Sequence, residues 1–346
     1  MTSASRPTSP QSARPFTVLV TGGAGYIGSH AVLALLDAGW RVAVLDNLVT
    51  GFRWAVPAAA AFYEGDIADA ALVSRIVAKH DIGAILHFAG SVVVPESVAN
   101  PLKYYDNNSA RSRTLIDSAV HSGVRHFIFS STAATYGIPE VVPVREDAPQ
   151  RPINPYGMSK LMTEAMLADV AVAHDFNYCA LRYFNVAGAD PQARSGQSTA
   201  GATHLIKVAV EAALGKRGHV DVFGTDFATA DGTGVRDYIH VSDLAAAHLL
   251  ALEALIADPG TSHRLNCGYG RGFSVLEVLD AVDRATNRRI DRHMGARRAG
   301  DPDALVADNA AIRAAFGWTP RYADLDTIVA HALAWERALE GRRLAA

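Results

Sequence analysis

The chain has 346 residues, 49% of them hydrophobic and 19% charged, with a formal net charge of −3. That balance excludes a disordered chain and argues against nucleic acid or an anionic membrane as a main partner. The length is enough for one large core or two, and no apolar run reaches the length of a membrane span.

The N-terminal string MTSASRPTSPQSARP has no apolar centre of the kind a signal peptide needs, so residues 1–15 read as a disordered tail on a cytoplasmic protein. Next, short β-branched runs alternate with helix-length segments. FTVLVTGG (16–23), RVAVLDN (41–47), AFYEGDI (61–67), GAILHFAG (83–90), HFIFSSTA (126–133) and NYCALRYFN (177–185) are expected strands. This rhythm predicts an α/β fold, a doubly wound parallel sheet covered on both faces. Beyond about residue 186 it gives way to polar, glycine-rich stretches, DPQARSGQSTAGAT and FGTDFATADGTG, typical of binding loops. DYIHVSDLAAAHLLALEAL and HRLNCGYG then read as a strand–helix–strand return to the main sheet. The expected boundary is therefore interleaved: a nucleotide domain over 16–190 with returning segments at about 237–270, and a smaller substrate domain mainly over 191–346.

Gly22, Gly25 and Gly28 fall just after the first strand, at the mouth of a helix. Glycines there let backbone approach a pyrophosphate, and the helix start supplies unpaired N–H groups. Asp46 ends the second strand, where a carboxylate can accept from a ribose diol and would repel a 2′-phosphate. NAD is therefore the expected cofactor. Further on, NPYGMSK begins a helix, with Asn154 as its cap and Pro155 as its first residue. Tyr156 and Lys160 lie one turn apart on the same face. An ordinary phenol, with a pKa near 10, is a poor base, and a neighbouring ammonium would favour its ionised form. Cys179 and Cys267 stand far apart and read as two buried thiols. The 13 histidines form neither HExxH nor a Cys/His spacing, so no metal is expected.

The GxxGxxG spacing together with the YxxxK pair resembles the extended short-chain dehydrogenase/reductase family, the NAD-dependent epimerases and dehydratases. The strings VTGGAGYIGSH, YYDNN, YGMSKLMTE, LRYFNVAGA, DGTGVRDYIHVSDLA and GWTPRY are similar to its sugar-nucleotide epimerases in order, from about residue 16 to 340. The resemblance implies a Rossmann-type fold and tightly held NAD. It also implies a UDP-hexose substrate inverted at C4, between UDP-galactose and UDP-glucose, through a 4-keto sugar. Thr132 then matches the hydroxyl that works with Tyr156 and Lys160. Tyr26, Ile27, Asn47, Asp66, Ile67, Phe88, Ala89, Gly90, Asn107, Tyr183 and Phe184 match the cofactor lining. Asn185, Leu205, Phe223, Arg236, Arg298, Asp301 and Leu305 match the substrate side, with the two arginines on the diphosphate, Asp301 on the uridine ribose and Phe223 at the uracil.

Some positions depart from the family pattern. Val92 stands where some members have a cofactor-contacting lysine, Met158 replaces the middle lysine of YGKSK, and His204 replaces an asparagine near the diphosphate. Leu305 is intermediate in size at the position that gates the sugar's 2-substituent, which leaves N-acetylated sugars open. A dehydratase would need an acid pair where this chain has Ala133 and Ala134. A non-catalytic NAD sensor would have no need to keep Thr132, Tyr156 and Lys160 together. Family resemblance also implies a homodimer, built from the helix at 156 and the one over 101–122.

Overall fold

The computed structural model describes residues 14–298 and 300–344, so residues 1–13 of the expected tail lie outside the described residues. Arg14 is already anchored: its guanidinium donates to Ala38 O at 3.2 Å and lies over the Trp40 ring.

The first half runs β1 (Thr17–Thr21), α1 (Tyr26–Asp37), β2 (Arg41–Asp46), β3 (Ala61–Glu64), α2 (Ala70–His80), β4 (Ile82–His87), α3 (Val94–Ala99), α4 (Pro101–Tyr104), α5 (Arg111–His121), β5 (His126–Thr132), α6 (Pro155–Ala173) and β6 (Asn177–Tyr183). The second runs β7 (Asn185–Ala187), α7 (Leu205–Ala213), β8 (Val220–Phe223), β9 (Val235–His240), α8 (Val241–Ala257), β10 (His263–Cys267), β11 (Gly272–Ser274), α9 (Val275–Thr286), β12 (Arg292–Gly295), β13 (Ala304–Leu305), α10 (Ala310–Phe316) and α11 (Leu325–Leu344).

Seven parallel strands lie in the order β10-β6-β5-β4-β1-β2-β3. Alternation along a strand sends Val18 and Val20 into one core and Leu19 into the other, so both faces of the sheet are sealed. The chain runs outward from β1 to β3 and then crosses back to β4. This makes the crevice at the carboxyl ends of β1 and β4 the switch point where such sheets bind ligands.

Two expectations are corrected. DYIHV does not rejoin the main sheet. Only β10 does so, on the outer edge of β6, while β9 pairs with β7, β11 and β13 in a second sheet. The chain passes almost directly from β6 into β7, and β7 offers β9 its ladder once β10 holds the edge. Nor is 101–122 one regular helix. Tyr105–Ala110 forms a π-helical segment between α4 and α5, and such segments often occur at functional sites. Here it lets two adjacent asparagines both serve the loop after β4. Asn107 Nδ2 donates to Ser91 Oγ at 2.9 Å, and Asn108 Oδ1 accepts from Ser91 N at 2.8 Å.

Candidate active site

The loop after β1 is shaped by close packing. Gly22 has φ +71°, and a Cβ there would lie 2.5 Å from Ala89 N; a Cβ on Gly28 would lie 2.1 Å from Gly22 O. These two glycines draw the loop tight against α1 and the strand end after β4. Gly25 caps α1 without a side-chain bond, so the first-turn N–H groups at Tyr26, Ile27 and Gly28 are left for a ligand, as a diphosphate would use them. The Tyr26 phenol is committed elsewhere, donating to Gly188 O at 2.7 Å.

Asp46 is buried, and its carboxylate accepts from Ala24 N at 2.9 Å and from Leu48 N at 2.8 Å. Burial raises its pKa, against the pull of these two amides. Each oxygen keeps further acceptor capacity, enough for a ribose diol. Asn47 is exposed and accepts from Val49 N at 3.3 Å. Asp66 is ion-paired with Arg111, a partner that spacing did not reveal, and Ile67 is buried in the core beneath it. Donors at a helix start, a ribose-ready carboxylate and close-packed glycines together fit NAD.

The second group gathers at the ends of β4, β5 and β6. Asn154 Oδ1 accepts from Gly157 N at 2.8 Å, which fixes the start of α6. The Tyr156 phenol lies beside Thr132, whose Oγ1 accepts from Ala134 N at 3.1 Å. Burial raises the Tyr156 pKa, and the neighbouring Thr132 hydroxyl pulls it down. Lys160 is 3% exposed and donates to Ser130 O at 2.8 Å, with its Nζ 4.9 Å from the Phe129 ring centroid. No carboxylate is bonded to it among the described residues, and burial lowers its pKa to about 8. A Cβ on Gly90 would lie 3.6 Å from that Nζ, so the loop after β4 passes directly over the lysine.

Phe88 packs on His248 at 4.8 Å between ring centroids. His248 Nδ1 lies 2.8 Å from Leu244 O and must carry the proton, because a carbonyl only accepts. Burial lowers its pKa to about 4, so the ring is neutral and Nε2 accepts from the Tyr183 hydroxyl. His248 was not anticipated. The one signal for it was a histidine inside the apolar helical run LAAAHLLAL.

The third group lies on the second sheet and the β8–β12 pair. Arg236 donates to Val235 O at 2.9 Å and faces Asp301 at 3.9 Å. Arg298 lies 3.8 Å over the Phe223 ring, and Phe223 is 37% exposed. Leu305 pairs in register with Arg236 and packs on Ala133, Tyr136, Val144, Phe184 and Ala307, tying this group to the Thr132 turn. Asn185, Leu205 and Tyr26 line an adjoining cleft of about 500 Å³, measured to its open mouth; Thr132, Tyr156 and Lys160 are not part of it. Val92 is half exposed and brings no cation.

Comparison with known proteins accords with this geometry. Residues 18–268 match the NAD dependent epimerase/dehydratase family. The UDP-glucose 4-epimerase of Azospirillum brasilense is 55% identical over 330 residues, 95% of this chain and 94% of its own. The crystal structure of UDP-glucose 4-epimerase from Brucella ovis in complex with NAD is 46% identical, with a TM-score of 0.89 over 92% of this chain and 98% of that one. The UDP-Glc/GlcNAc 4-epimerase from Campylobacter jejuni is 45% identical, with a TM-score of 0.82 over 93% and 99%.

Proposed function

The chain belongs to the NAD dependent epimerase/dehydratase family, and from that premise we propose that it interconverts UDP-galactose and UDP-glucose by inverting C4 of the sugar. The observation that carries this is Tyr156 set beside Thr132 and one helical turn before a buried lysine, at the carboxyl edge of the sheet. NAD held by these residues would supply the reversible hydride chemistry that inversion at the sugar carbon needs.

The residues divide the remaining work. Tyr156 takes the proton from the 4-hydroxyl, and Thr132, both donor and acceptor, bridges phenol and sugar. Lys160 holds its ammonium beside the loop after β4, where the nicotinamide ribose would accept from it and where its charge favours phenolate. Asp46 takes the adenosine ribose, and the first turn of α1 takes the diphosphate. Asp66 and Asn107 complete the cofactor contacts. On the other side Arg236 and Arg298 grip the UDP diphosphate, Asp301 its ribose and Phe223 the uracil. The hexose, held by its tether, is left free to turn over between the two hydride transfers. We divide the chain accordingly, with NAD held mainly by 16–190 and the sugar nucleotide mainly by 191–346.

Leu305 supports a second activity, on N-acetylated sugars. It is no aromatic barrier, and the similar protein from C. jejuni acts on both sugar types. Val98, Leu102 and Met162, on α3, α4 and α6, expose apolar surface on one flank, which supports a homodimer there. Among the described residues no helix is long and apolar enough to cross a membrane. The two buried, unpaired cysteines suit the reducing cytoplasm.

The test is to incubate the purified protein with UDP-galactose, and in parallel with UDP-N-acetylgalactosamine, and follow the 4-epimers by chromatography. UDP-glucose formation is expected. Its absence from a protein with NAD bound overturns the reading, and absence of the N-acetylated product alone removes the second activity. Light scattering that returns the monomer mass overturns the dimer.

A further inference from the structure

A cluster of ligand-type side chains lies outside the site described above, on the solvent face of the two-stranded β8–β12 ribbon. Parallel pairing sets His293 opposite Asp221 and Gly295 opposite Phe223. Side chains alternate along a strand, so His219, Asp221 and Phe223 share the outer face of β8, with Asp291 and His293 beside them, while Val220 and Val222 are buried beneath. The imidazoles of His219 and His293 stack with centroids 3.9 Å apart and planes 15° apart. One donor atom from each of His219, Asp221 and His293 lies within 4.8 Å of the other two. Asp221 Oδ1 is 3.4 Å from His219 Nε2, and Asp291 Oδ2 is 3.1 Å from His293 Nε2.

We propose that this face binds one divalent transition-metal ion, of the zinc, cobalt or nickel type, through His219, His293 and Asp221. Two imidazole nitrogens and a carboxylate suit those ions, whereas magnesium and calcium call for oxygen ligands throughout. A tetrahedral ion with bonds of about 2.0–2.1 Å needs donors roughly 3.4 Å apart. To aim their in-plane lone pairs at one ion the two exposed rings must unstack and splay apart, which their exposure allows, with water in the fourth position. Asp291, beside His293, orients that ring as carboxylates do behind metal-bound histidines. The ion cross-links two strands whose main-chain ladder is only four residues long. The same strands carry Phe223 at their other end and lead into Arg298. Sequence spacing could not show this site, because the two histidines come from distant segments that meet only through strand pairing.

The experiment is a titration of the untagged, full-length, chelator-treated protein with Co²⁺ and Zn²⁺, followed by calorimetry and by the visible Co²⁺ bands, with Mg²⁺ in parallel. One equivalent is expected to bind with a micromolar dissociation constant, weakened at least tenfold by Asp221→Asn and at least 100-fold by the double change His219→Ala/His293→Ala. Both histidines are exposed, so the double variant should fold, and its circular dichroism and melting temperature without metal should match the parent. Failure of the parent to bind below millimolar metal overturns the proposal. So does unchanged affinity in the double variant, or Mg²⁺ binding as tight as Zn²⁺.

Discussion

Helix α6 handles buried charge in opposite ways on successive turns. At Glu164 the charge is fully met. Arg182, 2% exposed, donates to both carboxylate oxygens, at 3.1 and 2.7 Å, and to Tyr136 Oη at 2.7 Å; Ser131 adds its hydroxyl to the same carboxylate. The pairing raises the Arg182 pKa although burial opposes it. At Lys160 the charge is left open, with one neutral carbonyl and a phenyl ring for company, and its pKa falls to about 8. Four residues apart on α6, one buried charge, the Glu164 carboxylate, serves the fold and the other, the Lys160 ammonium, waits for a ligand. Such a perturbed, uncompensated group in a crevice marks a functional site more reliably than burial alone.

Substitutions on each side separate the two roles. Tyr156→Phe should have the largest effect, lowering kcat by about 10³–10⁴-fold, the upper range for a lost proton-transfer group, with NAD retained. Turnover within tenfold of the parent would remove Tyr156 as the base. Glu164→Gln leaves Arg182 buried and unpaired and should cost about 3–5 kcal/mol of stability by denaturant titration. Below its melting transition the variant should turn substrate over close to the parent rate. A variant as stable as the parent but catalytically dead would erase the contrast.

Lys160→Met should do the reverse, losing activity while stabilising the chain freed of NAD. The sign follows from linkage. The lysine pKa is 10.5 in the unfolded chain and about 8 in the fold, so between these values the unfolded state binds more protons and stability rises with pH. Below pH 8 the buried ammonium costs about 3 kcal/mol, less whatever its bond to Ser130 returns. The variant should therefore gain about 1–3 kcal/mol at pH 7 and lose that advantage towards pH 10. Thr132→Val should have the smallest effect, about a tenfold fall in turnover, because it removes a neutral hydroxyl beside the phenol and no charge. A fall as large as that of Tyr156→Phe would make the threonine an equal partner in proton transfer.

The parts legible in the sequence were those fixed by neighbours along the chain. Buried strands showed as apolar runs. Gly22 and Gly28 showed because only glycine tolerates their close contacts, and the start of α6 showed through Asn154 and Pro155. Spacing of four placed Tyr156 and Lys160 on one face. What stayed hidden depends on distant segments. The sheet chosen by β9, the carboxylate that meets Arg111, and the phenol that meets His248 are each settled by a partner many residues away. The π-helical segment at Tyr105–Ala110 was hidden for another reason: its Asp, Asn and Ser residues weaken a helix without marking a π turn, and the loop after β4 draws both asparagines inward.

The most direct measurement is the titration of Lys160 itself, by NMR of the ε-carbon in NAD-stripped protein, with Lys160→Met assigning the signal. A midpoint near 8, moving when NAD is restored, is the predicted result. A midpoint at 10.5 or above, unmoved by NAD, would mean that this cation is as settled as Arg182 and that α6 holds no charge in reserve for a ligand.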